Sequence, residues 1–247
     1  MAAANKIDQG YKALGQYDYF KAKKCFKKGL RCNPAASAQG LAIIYFRNDN
    51  PFHNYDSAYF YINKSIEDWS LARQKQKEKW KVYGFTYDSI IHLRQNISSA
   101  FFRMANEMNT EQAYISFLKK NPWAMEVERS IVLRDSIAFY GAVQENTALS
   151  LKKITEKYPA SRYKDRAIKM YYDLQFDEMT ADGSLESFVR FINSNAESPL
   201  RLYAEERVFS MVTAPNDIYS YESFIRNYPE NHCIDSAWAA LYQLKLS

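Results

Sequence analysis

One short phrase recurs along the second half of the chain and constrains the fold more than any other feature. At residues 110–122 it reads T-E-Q-A-Y-I-S-F-L-K-K-N-P, with a small residue four positions before an apolar anchor and a proline soon after it. Self-similarity at a period of this size is typical of helical repeat arrays, in which each helix pair packs on its neighbours. The anchors are Phe117, Ile154, Phe191 and Phe224, spaced 37, 37 and 33 residues apart.

The same arrangement of a small residue before an anchor occurs near the N-terminus, with Phe26 and Ile62 as anchors. Seven glycines and seven prolines are few for an all-β chain, and turn clusters at strand spacing are missing from the sequence. We therefore predict an all-α fold in which the six anchors are buried between helices. The small residues expected at the close helix crossings are Ala22, Ala58, Ala113, Ser150, Ser187 and Ser220.

The spacing also predicts how the repeats are distributed along the chain. We expect a single repeat domain over residues 1–247, with two units in residues 1–69 and regular units in residues 110–247. The period breaks between residues 70 and 109, where we expect irregular helices. These helices are predicted at about 71–83, 87–95 and 98–108.

The first unit carries the most specific motif. A helix, a G-x-Y turn, the pattern A-x-x-x-F-x-x-G-L and a proline follow one another within residues 11–34. This order resembles the tetratricopeptide repeat family, in which the small residue lets two helices approach and the aromatic residue fills the gap. The resemblance implies a right-handed α-solenoid of about six helix pairs. The matching residues are Tyr11, Gly15, Tyr17, Ala22, Phe26, Gly29 and Pro34.

Two observations bear on cellular location. The phrase Y-P-A-S-R-Y-K-D-R-A at residues 158–167 resembles the tetratricopeptide variety common in bacterial envelope proteins, which implies a scaffold in a bacterial assembly of the periplasm or envelope. The N-terminal M-A-A-A-N-K-I-D-Q-G has no apolar signal core, so the chain read as written is predicted to be cytoplasmic. No apolar run approaches the ~18–20 residues that span a bilayer, and we expect no transmembrane segment.

Residue patterns that carry chemistry are sparse. The three histidines are scattered along the chain, the three cysteines show no C-x-x-C spacing, and glycine-rich phosphate loops are missing from the sequence. The adjacent carboxylates Glu205 and Glu206 are interpreted as solvated helix surface. We therefore expect no enzyme, no catalytic residues, no metal site and no cofactor. The three histidines are His53, His92 and His232.

A stacked helical array presents a long concave wall, lined mainly by the first helix of each pair. Such a wall suits a non-catalytic module that binds a peptide or protein partner. The resemblance to tetratricopeptide repeats implies that Asn5, Gln9 and Lys12 are the concave positions of the first unit. Their amides and ammonium group are expected to hold a peptide backbone or a carboxylate.

The charge distribution suggests an alternative partner. Residues 1–121 carry 19 Lys and Arg against 10 Asp and Glu, whereas residues 122–247 carry 14 against 18. At helical spacing Arg73, Lys77 and Lys81 form one basic stripe, which could bind nucleic acid or another anionic surface. Gln and Glu residues interleave with this stripe and favour a solvated helix face. We therefore do not expect nucleic acid as the main partner.

Overall fold

The computed structural model describes residues 2–246, with side chains described from Lys6 onward. Every regular element in that part of the chain is a helix, so the predicted all-α class is confirmed. The chain divides into two compact units, Met1–Arg134 and Asp135–Ser247. The single-domain organisation stays a prediction.

The helices of the first unit are α1 (Ala2–Gly15), α2 (Tyr19–Gly29), α3 (Pro34–Phe46), α4 (Tyr55–Leu71), α5 (Gln74–Trp80), α6 (Tyr87–Met108) and α7 (Glu111–Lys120). A 3-10 turn, Lys81–Tyr83, follows α5, and α8 (Val127–Glu145) begins in the first unit and ends in the second. The remaining helices of the second unit are α9 (Ala148–Lys157), α10 (Lys164–Met179), α11 (Leu185–Ser194), α12 (Arg201–Val212), α13 (Ile218–Asn227) and α14 (Ile234–Leu246).

Helices that are consecutive in sequence pack against one another within each unit. In the first unit α1 packs on α2, α3 on α4, and α6 on α7, and α1 also touches α3. In the second unit α9 packs on α10, α11 on α12, and α13 on α14. The repeated phrase predicts packed neighbouring helices, and these are present. In the second unit, however, the anchor helices α9, α11 and α13 are the first members of these pairs rather than the second.

All six predicted anchors are buried, which confirms the packing prediction. Five of the small residues expected at helix crossings are buried as well, and Ala113 is half-buried. In the first unit the Phe26 ring lies between Gly10 of α1 and Gly40 of α3, where an added methyl group on either glycine would meet the ring. The buried anchors are Phe26, Ile62, Phe117, Ile154, Phe191 and Phe224.

Four anchors contact an aromatic ring that precedes them by fifteen residues. Three of these pairs meet edge to face, with ring centroids 5.0–5.1 Å apart, and the fourth is tilted at 5.5 Å. Aromatic pairs favour such offset or perpendicular arrangements. These ring contacts therefore help set how α1 crosses α2, α6 crosses α7, α10 crosses α11 and α12 crosses α13. They are Tyr11–Phe26, Phe176–Phe191, Phe209–Phe224 and Phe102–Phe117.

The turn before the anchor helices α7, α9, α11 and α13 also repeats. One residue with positive φ precedes a capping residue, whose side-chain oxygen accepts a hydrogen bond from the backbone N–H three positions later. This bond satisfies a donor that the start of a helix otherwise leaves without a partner. The caps are Thr110, Thr147, Ser184 and Asp217, and the residues with positive φ are Asn109, Asn146, Gly183 and Asn216.

The region between the two N-terminal pairs and the regular repeats differs from the prediction. The irregular part is shorter than residues 70–109, because α4 continues to Leu71 and α6 begins at Tyr87. The two helices predicted at 87–95 and 98–108 are one helix of 22 residues. Since residues 87–108 contain no glycine or proline, nothing in that stretch ends the helix.

Among the helices that the structure describes, none combines the length and the apolar character needed to cross a bilayer. The sequence prediction of no transmembrane segment agrees with this finding.

The packing of Phe26 generates a stability prediction. Gly40→Ala should lower the free energy of unfolding by about 1–3 kcal/mol, because the new methyl group overlaps the Phe26 ring in a packed core. Gly141, in α8, is the matched control: its Cβ position is open, so Gly141→Ala should raise stability by about 0.5–1 kcal/mol through helix propensity. Urea denaturation followed by circular dichroism measures both. An equal response of the two variants would contradict the packing described.

Candidate binding groove

One groove of the first unit is bounded by α1, α3 and α6, with the 3-10 turn at one side. Its volume is about 740 Å³. These helices are the first members of the packed pairs α1–α2, α3–α4 and α6–α7. The side chains that line it form an apolar floor, a buried polar network and an exposed polar rim.

The polar network runs across the floor of the groove. The Tyr11 hydroxyl lies 2.9 Å from both the Ala36 carbonyl oxygen and the Oε1 of Gln39, and the Nε2 of Gln39 donates to the Ser89 Oγ at 3.0 Å. Gln39 is only 4% exposed, and burial raises the pKa of the Tyr11 hydroxyl, which therefore stays a protonated donor. The network ties α1, α3 and α6 together and holds the floor in one arrangement.

The 3-10 turn closes one side of the groove. The ring of Tyr83 stacks on that of Tyr11, with centroids 4.9 Å apart and planes 5° from parallel. Gly84 follows with φ of 69°, a backbone conformation that suits glycine, and leads the chain into α6. Gly15 and Gly84 both line the groove with open space at their Cβ positions, so no side chain of these two residues narrows the groove.

The rim along α6 carries polar side chains one helical turn apart. Asp88, His92 and Asn96 are exposed, and the Asn96 Nδ2 lies 3.3 Å from the His92 Nδ1. Leu93, on the same helix, is half-buried and continues the apolar floor formed with Leu14. The groove therefore offers apolar contacts below and hydrogen-bonding groups above.

The positive charge at one end of the groove is already compensated. The Arg47 Nε and Nη2 donate to the two carboxylate oxygens of Asp49 at 3.2 and 2.6 Å, and the Tyr19 hydroxyl donates to the same carboxylate at 2.7 Å. The hydrogen bonds from Arg47 and then Tyr19 lower the pKa of Asp49 to about 2. The Arg47 guanidinium also lies over the Tyr17 ring, 4.8 Å from its centroid. Arg47 is thus held in place by neighbours within the unit.

The residues predicted for partner binding are not among those described as lining this groove. Asn5 lies outside the residues whose side chains the structure describes. Gln9 is half-buried and its Oε1 accepts a hydrogen bond from the Lys6 Nζ at 3.1 Å, while Lys12 is exposed. The described residues of α1 that line the groove are instead Tyr11, Leu14 and Gly15.

The predicted basic stripe does not lie on one helix. Arg73 precedes α5, Lys77 lies within it, and Lys81 belongs to the following 3-10 turn, because α5 ends at Trp80. The Lys77 Nζ is 5.3 Å from the centroid of the Trp69 ring, and the Lys81 Nζ pairs with Glu78 at 2.8 Å. Two of the three cations are therefore engaged within the unit.

In the second unit, the interpretation of Glu205 as solvated surface is wrong. Glu205 is 3% exposed and accepts hydrogen bonds from the Arg201 Nε and from the backbone N–H of His232, while the His232 Nδ1 lies 2.9 Å from the same carboxylate. Glu206, its neighbour, is largely exposed. The buried carboxylate fastens the turn before α14 to α12. No local sequence pattern indicates this contact, since the turn lies 27 residues later.

Within the residues that the structure describes, no three His, Cys, Asp or Glu side chains come together in a way that could hold a metal ion.

Glu205 generates a stability prediction with a matched control beside it. Glu205→Gln should lower the free energy of unfolding of the second unit by about 1–3 kcal/mol at neutral pH, because the buried donors lose a charged acceptor. Glu206→Gln should be nearly neutral.

The difference in stability between the wild-type protein and Glu205→Gln should depend on pH. Burial alone would raise the pKa of Glu205, but the hydrogen bonds from His232 and Arg201 outweigh burial and lower it. The stabilisation is therefore present above the ordinary carboxylate pKa and is lost as pH falls through the lowered value. Thermal unfolding of the wild-type protein and Glu205→Gln should converge in acid. A difference in unfolding temperature that stays constant with pH would contradict the conclusion that Glu205 stabilises the unit in its ionised form.

Comparison with known proteins does not assign the chain to a family. No protein-family model matches it, and no curated protein matches it at a significant level.

Proposed function

We propose that this chain is a non-catalytic interaction module of the tetratricopeptide-like kind, which binds an extended segment of a peptide or protein along the groove of the first unit. The observation that carries the proposal is the groove itself: three first helices enclose about 740 Å³, with an apolar floor and a polar rim. Membership of a bacterial envelope assembly stays a prediction from the sequence resemblance.

The spacing of the rim supports an extended chain as the occupant. Asp88, His92 and Asn96 follow at four-residue intervals along α6, which corresponds to a rise of about 6 Å between neighbours. Alternate residues of an extended chain repeat at roughly 6.4–6.8 Å. The rim can therefore meet successive backbone groups of a bound segment, while side chains on its other face enter the apolar floor.

The charges support a peptide over a polyanion. The Arg47 guanidinium is already paired with Asp49, and Asp88 adds a negative charge to the rim. Nucleic acid binding depends on cations that are free to neutralise phosphates. The groove instead suits a segment recognised by shape and by hydrogen bonds to its backbone.

The hydroxyl and imidazole groups of the groove support recognition without turnover. The Ser89 Oγ exchanges hydrogen bonds with the backbone of Thr86 and accepts one from Gln39, which makes it part of the floor. The His92 Nδ1 faces the Asn96 amide. A nucleophilic mechanism needs the base within reach of the nucleophile, and these two groups have other partners.

The proposal predicts that the groove can be blocked without harming the fold. Peptides are first selected from a random display library for binding to the purified wild-type chain. The Gly15→Trp variant should bind the selected peptides at least tenfold more weakly, because position 15 is open and faces the groove. Gly141→Trp, at an equally open position in α8, is the control and should leave the dissociation constant unchanged.

Fluorescence anisotropy with a labelled selected peptide measures both variants. Asn96→Ala should weaken binding about fivefold, as expected for one lost hydrogen bond of about 1 kcal/mol. Peptides that bind Gly15→Trp as tightly as the wild-type chain would place recognition elsewhere. A selection that yields no binder would count against the proposal as a whole.

A further inference from the structure

The outward face of α14 in the second unit carries large apolar side chains. Trp238, Tyr242 and Leu246 follow at four-residue intervals and are 55%, 63% and 66% exposed. The opposite face of the helix, with Ala237 and Leu241, is buried in the core of the unit. A contiguous apolar stripe of this kind on a soluble unit usually marks an interaction surface.

The charges beside this stripe are arranged symmetrically. Asp235, Trp238, Tyr242 and Lys245 are spaced by three, four and three residues, which places all four on one helix face. The aromatic residues each lie two positions from Ala240, and the charged residues each lie five positions from it. An antiparallel copy of the helix, centred at the level of Ala240, therefore places an aromatic residue opposite each aromatic residue and a base opposite each acid.

We infer that this face binds a second copy of the same chain, with the two α14 helices antiparallel about a twofold axis near Ala240. In that arrangement Trp238 of each copy packs on Tyr242 of the other, and Asp235 of each copy faces Lys245 of the other. A twofold interface must be complementary to itself, and the palindromic order of this stripe meets that requirement. The antiparallel direction also sets opposite ends of the helix dipoles side by side.

The charges and the shape of this helix face both favour a second copy of the chain as its partner. Lys245 pairs with Glu222 in the single chain at 2.7 Å, and both side chains are about half exposed, so this pair constrains Lys245 only weakly. Ala239 is exposed beside the stripe and gives the helices room to approach. One helix pair buries less than the ~800 Å² per partner of a standard interface, and the dimer is accordingly weak.

Sedimentation velocity over a concentration series of the full chain tests the inference. The wild-type chain should dimerise with a dissociation constant in the range of roughly 1–100 μM. Trp238→Asp should raise that constant at least tenfold. Tyr219→Ala, which removes another highly exposed aromatic residue of the second unit but one on α13, is the matched control and should leave it unchanged.

Charge reversal identifies the partner and its direction. Asp235→Lys and Lys245→Asp should each weaken the dimer, because each creates like-charge contacts at both ends of the interface. The double variant should dimerise like the wild-type chain, since it exchanges the partners of each pair. Circular dichroism would verify that all variants keep the folded helix content.

Two results would overturn the inference. A wild-type chain that stays monomeric up to about 1 mM would leave the stripe to a different protein or to a membrane surface. A dimer that is insensitive to Trp238→Asp and to the charge reversals would use another face.

Discussion

The contact between each anchor and the helices beside it is the interaction on which the structure depends. In the first unit the Phe26 ring is held between two glycines and meets Tyr11 edge to face at 5.0 Å. Tyr11 also stacks on Tyr83 and bonds through its hydroxyl to Gln39. The Tyr11 side chain thus belongs both to the core and to the groove floor. The packing that stabilises the helix pair therefore also shapes the surface that we propose for recognition.

Much of this arrangement is readable in the sequence because it repeats. The spacing alone predicts the anchors, and the aromatic partner fifteen residues before four of them is a second periodic signal. The groove was harder to predict, because its far wall is α6, which follows a stretch without the repeat. The prediction that Glu205 is solvated surface is wrong because a buried carboxylate can be identified only from its hydrogen-bond partners. One of these partners, His232, is distant in sequence.

The two units present different surfaces. The first has a groove whose cation at Arg47 is paired with Asp49 of the same unit. In the function that we propose, shape and hydrogen bonds to the partner's backbone therefore matter more than charge. The second has an apolar helix face framed by one acid and one base. The excess of Lys and Arg in residues 1–121 lies largely outside the groove, on positions such as Lys24 and Lys28 of α2. Net charge is therefore a poor guide to the surface that we propose for recognition.

The central claim is that the first helices of the first unit form the recognition surface. Hydrogen–deuterium exchange followed by mass spectrometry, with and without a bound selected peptide, tests it most directly, because protection reports the elements that a ligand covers or stiffens. The account predicts slower exchange in α1, α3 and α6 and in the turn at Lys81–Tyr83, with α2 and the second unit unchanged. Protection that appears on α2 or in the second unit, while α1, α3 and α6 exchange as before, would contradict it.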